Sequence, residues 1–187
     1  MKAYLAALVA VLVVCGAARV RAASFTPAPN MTFDMQPVAP EGSFSSWEAT
    51  DIRGLSALRT RAAFQGFGRD PKWSPGFKFS LRSGKEEIML SVGGQEGRPM
   101  AISLETVRGP AATHTEEFRL VASSDDEIEV ELYWSPDGTI TAAVSGEHGK
   151  DREVHTAKLP GAPTKLAIYV STATVRLVPL QLGTGAP

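Results

Sequence analysis

Glu127-Ile128-Glu129-Val130-Glu131-Leu132-Tyr133-Trp134-Ser135-Pro136-Asp137-Gly138-Thr139-Ile140-Thr141-Ala142-Ala143-Val144 is the stretch that decides the fold class. Apolar Ile128, Val130 and Leu132 alternate with Glu127, Glu129 and Glu131, the period of two in which successive side chains leave opposite faces of a strand. Ser135-Pro136-Asp137-Gly138 then reads as a turn, because proline fixes the φ that the turn needs and glycine closes it. Thr139 to Ser145 returns with Ile140, Ala142 and Val144 on one side. The segment is a β-hairpin with one apolar and one solvated face.

The same period holds from Ser43 onward. Leu58, Thr60, Ala62 and Phe64 form one stripe, and Phe77, Phe79 and Leu81 a second that ends at Ser83-Gly84. Ile88, Leu90 and Val92 run to Gly93-Gly94, and Met100, Ile102 and Leu104 to Gly109-Pro110. Phe118 to Val121 is a further short strand candidate. Leu166, Ile168 and Val170 make another strand, Ser171 to Thr174 turns the chain, and Val175 to Leu182 closes it. Some eight to ten strands are expected. The one helical candidate is Ile52 to Leu58, short and interrupted by Gly54. Without crossover helices the strands must pair antiparallel. Each strand buries one face only, so two sheets should pack face to face. The fold class predicted is all-β, an antiparallel two-sheet jelly-roll sandwich over residues 43–182.

The flanks read differently. Residues 1–22 have the form of a signal peptide: Lys2 near the start, an apolar run from Leu5 to Cys15 of about 11 residues, and Val20-Arg21-Ala22 before a cut. That run is shorter than the roughly 20 apolar residues of a membrane span, and no later segment is long enough either. Export to the periplasm or the extracellular space is therefore expected, without a transmembrane anchor. Leu12-Val13-Val14-Cys15 approaches a lipobox but lacks the small residue before the cysteine. Residues 23–42, with Pro27, Pro29, Pro37 and Pro40, read as an extended lead-in, and residues 183–187 as a flexible tail. Asn30-Met31-Thr32 fits a glycosylation pattern, which a leader of bacterial type makes irrelevant.

Composition bounds function by exclusion. The chain holds 19 basic and 20 acidic residues. Lys2, Arg19 and Arg21 belong to the leader, which leaves 16 basic residues against 20 acidic, a net of −4. Such a balance does not suit phosphate neutralisation, so nucleic acid is not an expected partner. The single cysteine, Cys15, lies in the leader, so no disulfide or thiolate ligand remains after cleavage. His114, His148 and His155 show no metal-binding spacing. Gly93-Gly94-Gln95-Glu96-Gly97 lacks the following helix and lysine of a phosphate loop.

The succession of a Glu127–Trp134 strand, the Ser135–Gly138 turn, a Thr139–Val144 return, Leu159-Pro160, a Lys165–Val170 strand and a last strand resembles the second half of a concanavalin A-like lectin/glucanase jelly roll. That superfamily includes laminin-G-like modules. Trp73-Ser74-Pro75-Gly76-Phe77 entering a strand is similar to the same fold. The resemblance implies a domain of the kind that hosts lectins, glycoside hydrolases, lyases and interaction modules, and it does not choose among them.

Three sets of residues carry the candidate chemistry. Glu127, Glu129 and Glu131 project from one strand face with alternate Cα atoms about 6.6 Å apart. This spacing resembles the Glu-x-Asp-x-Glu strand of jelly-roll β-glucanases, which would make Glu127 nucleophile and Glu131 acid/base, with Glu129 in place of the central Asp. The alternative is a solvated face whose carboxylates keep the sheet soluble. A sugar-binding surface could draw rings from Trp47, Trp73, Tyr133 and Tyr169, and polar groups from Arg59, Arg61, Arg82 and Glu129. Alternation places Trp134 in the core, and with three tryptophans in the chain the core is the expected use of Trp47 and Trp73 also. Asp125-Asp126 with Asp137 could hold calcium, or serve as ordinary turn residues; no cofactor is otherwise expected. The readings that remain are a non-catalytic glycan-binding module, a glycoside-acting enzyme, and a domain that docks on another envelope protein.

Overall fold

A computed structural model describes residues 24–70, 72–109 and 111–187; the leader expected at 1–22, with Cys15, lies outside them. The described residues form twelve strands in two six-stranded sheets, every pairing antiparallel. In chain order they are β1 Ser24–Met35, β2 Phe44–Ala49, β3 Ala57–Phe67, β4 Gly76–Ser83, β5 Glu86–Gly93, β6 Ala101–Arg108, β7 Ala111–Glu117, β8 Ile128–Trp134, β9 Thr139–Ser145, β10 Glu153–Lys158, β11 Lys165–Ser171 and β12 Ala173–Ala186. The first sheet runs β1-β12-β3-β8-β9-β10 and the second β2-β11-β4-β5-β6-β7. Successive hairpins and long returns between sheets make this a jelly-roll sandwich. Among the described residues there is no α-helix, and so no helix that could cross a membrane.

The alternating stripes are the core. Leu58, Ile128, Val130, Leu132, Ile140 and Val144 line the inner face of the first sheet, and Phe77, Phe79, Leu81, Ile88, Leu90 and Ile168 that of the second. Burying such a side chain contributes about 1.5–3 kcal/mol, and the two faces together supply the main driving force for the fold. Phe77 meets Phe79 edge-on at 5.8 Å and Phe64 at 5.4 Å, tying the sheets together through aromatic contacts. Trp134 is buried as alternation requires, and Trp47 turns inward against Phe33.

The structure differs from the sequence reading at four places. The lead-in is extended, but as β1 it is hydrogen-bonded along β12, pairing Ser24 with Ala186 and Phe33 with Leu180. The tail belongs to the same ladder, since β12 continues to Ala186. Ile52 to Leu55 makes a single turn, closed by the Leu55 N–H on the Ile52 carbonyl, before β3 starts at Ala57. The strand near residue 118 ends at Glu117, and Phe118 and Leu120 are buried from a loop instead.

That loop lies where the two outermost strands, β7 and β10, approach each other. His155 on β10 sits between two carboxylates, Nδ1 at 2.8 Å from Glu116 of β7 and Nε2 at 2.9 Å from Glu153. The Glu153 carboxylate also accepts the N–H groups of Arg119 at 2.6 Å and Leu120 at 3.1 Å. The Phe118 ring stands edge-on to the imidazole at 4.4 Å. These contacts clasp the open side of the sandwich.

Candidate functional site

The predicted site residues divide between the two outer faces of the sandwich. Arg59, Arg61, Glu127, Glu129, Glu131 and Tyr133 lie on the first sheet. Arg82 and Tyr169 lie on the second, on the opposite side of the core. No single site can use both groups.

On the first sheet, β3 and β8 are in register with Arg59 opposite Glu131 and Arg61 opposite Glu129. The ion pairs run diagonally as well. Arg59 Nε donates to Glu129 at 2.6 Å and stands 3.6 Å from Glu131. Arg152 reaches the other oxygen of Glu131 at 3.1 Å. Glu127 is held by Arg61 at 3.4 Å and by Arg176 of β12 at 2.8 Å. Tyr133 is only 3% exposed, with its ring against Gly185, so it offers no open face to a ligand. Burial, and then the neighbouring Glu131 carboxylate, push the Tyr133 hydroxyl up to about 12. A retaining glycosidase needs two carboxyls free to approach the reacting carbon and the glycosidic oxygen. Here guanidinium groups already engage all three carboxylates, and Arg59 bridges two of them.

The calcium candidates serve turns. The Asp126 carboxylate accepts the Ser123 N–H at 2.8 Å. Asp137 caps the hairpin turn through the Thr139 N–H at 3.2 Å and pairs with Lys158 at 2.5 Å. The Lys158 ammonium, then the Ser135 hydroxyl and Thr139 N–H, hold the Asp137 carboxyl well below the usual range. The two candidates flank opposite ends of β8. Among the described residues no cluster of three or more His, Cys, Asp or Glu is arranged to hold a metal.

The second sheet carries a different surface. Reading across its register, one row on the outer face is Phe44, Ser171, Gly76, Gly93 and Ala101. The next is Ser46, Tyr169, Lys78, Ser91 and Ser103. The small residues of the first row leave a trough of about 510 Å³, walled by the larger side chains at its margins. Phe44 is 64% exposed at one margin. Trp73, 47% exposed, is presented by the loop before β4 and does not enter the core, contrary to the expectation from tryptophan count. The loop is fixed: Asp70 accepts the N–H groups of Lys72 at 2.7 Å and Trp73 at 3.0 Å, and the Ser171 hydroxyl donates to the Ser74 carbonyl at 2.9 Å. Tyr169 lines the trough from the second row. Its burial, and then the Glu87 carboxylate, raise its hydroxyl above the ordinary tyrosine range. Farther along this face Arg82 pairs with Glu87 at 3.0 Å.

Sequence reasoning singled out Tyr169 and named Trp73 as a possible ring. It missed Phe44 and Lys78, and it missed the trough itself. The available signal was the run of glycine, serine and alanine at outward positions of β4, β5 and β6, which on a strand marks a place left open for something else.

No protein-family model matches the chain, and no curated protein sequence matches it. Solved structures do. The apo Crh5 transglycosylase is similar at 10% identity and a TM-score of 0.58, over 87% of this chain and 82% of that one. A legume lectin-like domain from Entamoeba histolytica aligns at 11% identity and 0.55, over 87% and 89%. The galectin LEC-6 of Caenorhabditis elegans aligns at 12% and 0.52, over 83% and 98%. At such identities the likeness establishes the fold: a concanavalin A-like jelly roll, a scaffold that serves lectins and transglycosylases alike.

Proposed function

We propose that this protein is a non-catalytic glycan-binding module acting outside the cytoplasm, in the periplasm or the extracellular space. The observation that carries the reading is the trough on the second sheet, where the exposed rings of Phe44 and Trp73 and the partly exposed Tyr169 stand around a floor of small residues. A pyranose presents a patch of C–H groups on one face and hydroxyls around its rim. Aromatic walls match the first, and polar groups of the lining such as Lys72 and Lys78 match the second. Large rings left bare at a groove mark a surface with a use beyond packing. The fold's occurrence in lectins agrees with this reading, and the expected leader supports the location.

The enzyme reading would use Glu127 and Glu131, and the guanidinium partners of both weigh against it. The test is a glycan array probed with the protein, with Trp73→Ala, Tyr169→Ala and Glu131→Gln alongside. Binding lost in the first two and kept in the third supports the module. Hydrolysis of a bound glycan, abolished by Glu131→Gln, replaces it with the enzyme. Absence of any glycan binding, with capture of an envelope protein through the same face, replaces it with a docking domain.

A further inference from the structure

We infer that the trough on the second sheet selects anionic sugars, units bearing a carboxylate or sulfate, through Lys72 and Lys78. This rests on the glycan-binding reading and narrows it. Most other strand-borne cations of this molecule are paired. Arg59, Arg61, Arg82, Arg108, Lys158 and Arg176 each lie within 4 Å of a carboxylate. Lys78 is different. It sits in the middle of the second sheet, between Tyr169 and Ser91 in register, and has no carboxylate partner among the described residues. Lys72, on the loop that presents Trp73, has none either; the nearby Asp70 is bonded to that loop's backbone. Lys165, at the first residue of β11, is also without a partner but does not line the trough.

The lining of the trough therefore holds two ammonium groups and no acid, and the carboxylate beside it, Glu105, is engaged by the Ser103 hydroxyl at 3.0 Å. Its floor adds a hydrogen-bonding group without a partner: the Ser91 hydroxyl is buried and bonds to nothing among the described residues. Buried polar groups are almost always satisfied, so an exception at the floor of an open groove marks a place for a ligand's polar atom. One rotation about χ1 turns the serine hydroxyl. A saccharide stacked on Trp73 or Tyr169 brings hydroxyls to the floor and, if acidic, an oxyanion to the lysines. Charge-assisted bonds of that kind are roughly twice as strong as neutral ones. The aromatic walls separate this from a general affinity for anions, since a bare phosphate has no face to stack.

The experiment is titration calorimetry of the protein with three tetrasaccharides matched in linkage: a polyuronate, its sulfated counterpart and the neutral parent. At 50 mM salt at least one anionic tetramer is expected to bind about tenfold or more tightly than the neutral one. The preference should shrink at 500 mM salt, where the Debye length is only a few ångströms. The double variant Lys72→Gln/Lys78→Gln should bring the anionic affinities down to that of the neutral tetramer, while Trp73→Ala should weaken binding of all three. An equal or better neutral affinity, or an anionic preference that survives in the lysine variant, overturns the inference. In that event binding of the neutral tetramer that depends on Trp73 keeps the glycan module standing. Silence towards all three tetramers, repeated across a broad glycan panel, overturns both.

Discussion

Replacing Glu153 with alanine should open the clasp between β7 and β10, and the structure sets the size of the effect. The carboxylate accepts two backbone N–H groups, from Arg119 and Leu120, and pairs with His155. Hydrogen bonds to a charged group contribute about 1.5–3 kcal/mol when buried. The Leu120 amide is part-buried and keeps most of that loss, whereas the Arg119 amide is exposed and can turn to water. The ion pair with the imidazole lies at the surface edge and adds well under 1 kcal/mol. The total is about 2–3 kcal/mol, which for a domain of this size lowers Tm by about 5–10 °C. The pH dependence has two limbs. For His155, burial alone would lower the imidazole, but the bonds from Glu153 and Glu116 outweigh it and raise the group above its ordinary 6.5. Its share of the stability is complete below 6.5 and fades as pH climbs through the raised native value. For Glu153, burial would raise the carboxyl, but His155 and the two amides outweigh that and lower it below its ordinary 4.5. Its share is complete above 4.5 and fades as pH falls through the lowered native value. The Tm gap between the protein and Glu153→Ala should thus be widest between about pH 5 and 6.5 and narrower at pH 8.5. Scanning fluorimetry or calorimetry across that range measures it. A gap under 2 °C at pH 6, or one no wider at pH 6 than at pH 8.5, would refute the clasp.

Other outcomes follow from the same contacts. Trp134→Ala, which empties a buried site, should cost about 3–5 kcal/mol in urea unfolding. Trp73→Ala, at a ring half in water, should leave the unfolding midpoint almost unchanged while binding is lost. Gly138→Ala should cost more than about 1 kcal/mol, because φ is +85° there and an added Cβ would also run into the Leu159 and Gly161 carbonyls. Arg59→Ala leaves Glu129 and Glu131 without their shared guanidinium, so a loss of up to about 1 kcal/mol is expected at low salt, shrinking as salt is added. A salt-independent loss in chemical denaturation would contradict that account.

The hairpin from Ile128 to Ser145 was legible in the sequence because alternation and turn chemistry agree there, and each inner residue of that pattern is buried. β1 and the end of β12 were not. Pro27 and Pro29 suggest a linker, and Gly183 and Gly185 suggest a tail. In the fold these glycines are where the Thr26 and Ser24 carbonyls come too near for any side chain. A glycine that permits close strand packing and a glycine in a loose tail are the same letter. The candidate site was half legible for a related reason. Period two assigns a residue to a face of its own strand, but not to one of two sheets, so Arg59 and Tyr169 were grouped although the core lies between them. Trp73 was misplaced because its exposure depends on a loop fixed by Asp70 and Ser171, contacts that span up to 97 residues.

The seat of β12 between β1 and β3 bears on how the chain must be made. A nascent chain emerges from its N-terminal side, yet β1 has no neighbour to zip against until the fourteen-residue β12 has been synthesised. β2 likewise waits for β11. Both layers therefore remain gapped until β11 and β12 have emerged, and the cooperative collapse waits for them. Truncation a few residues before Ala173 should yield an aggregating species rather than a smaller sandwich.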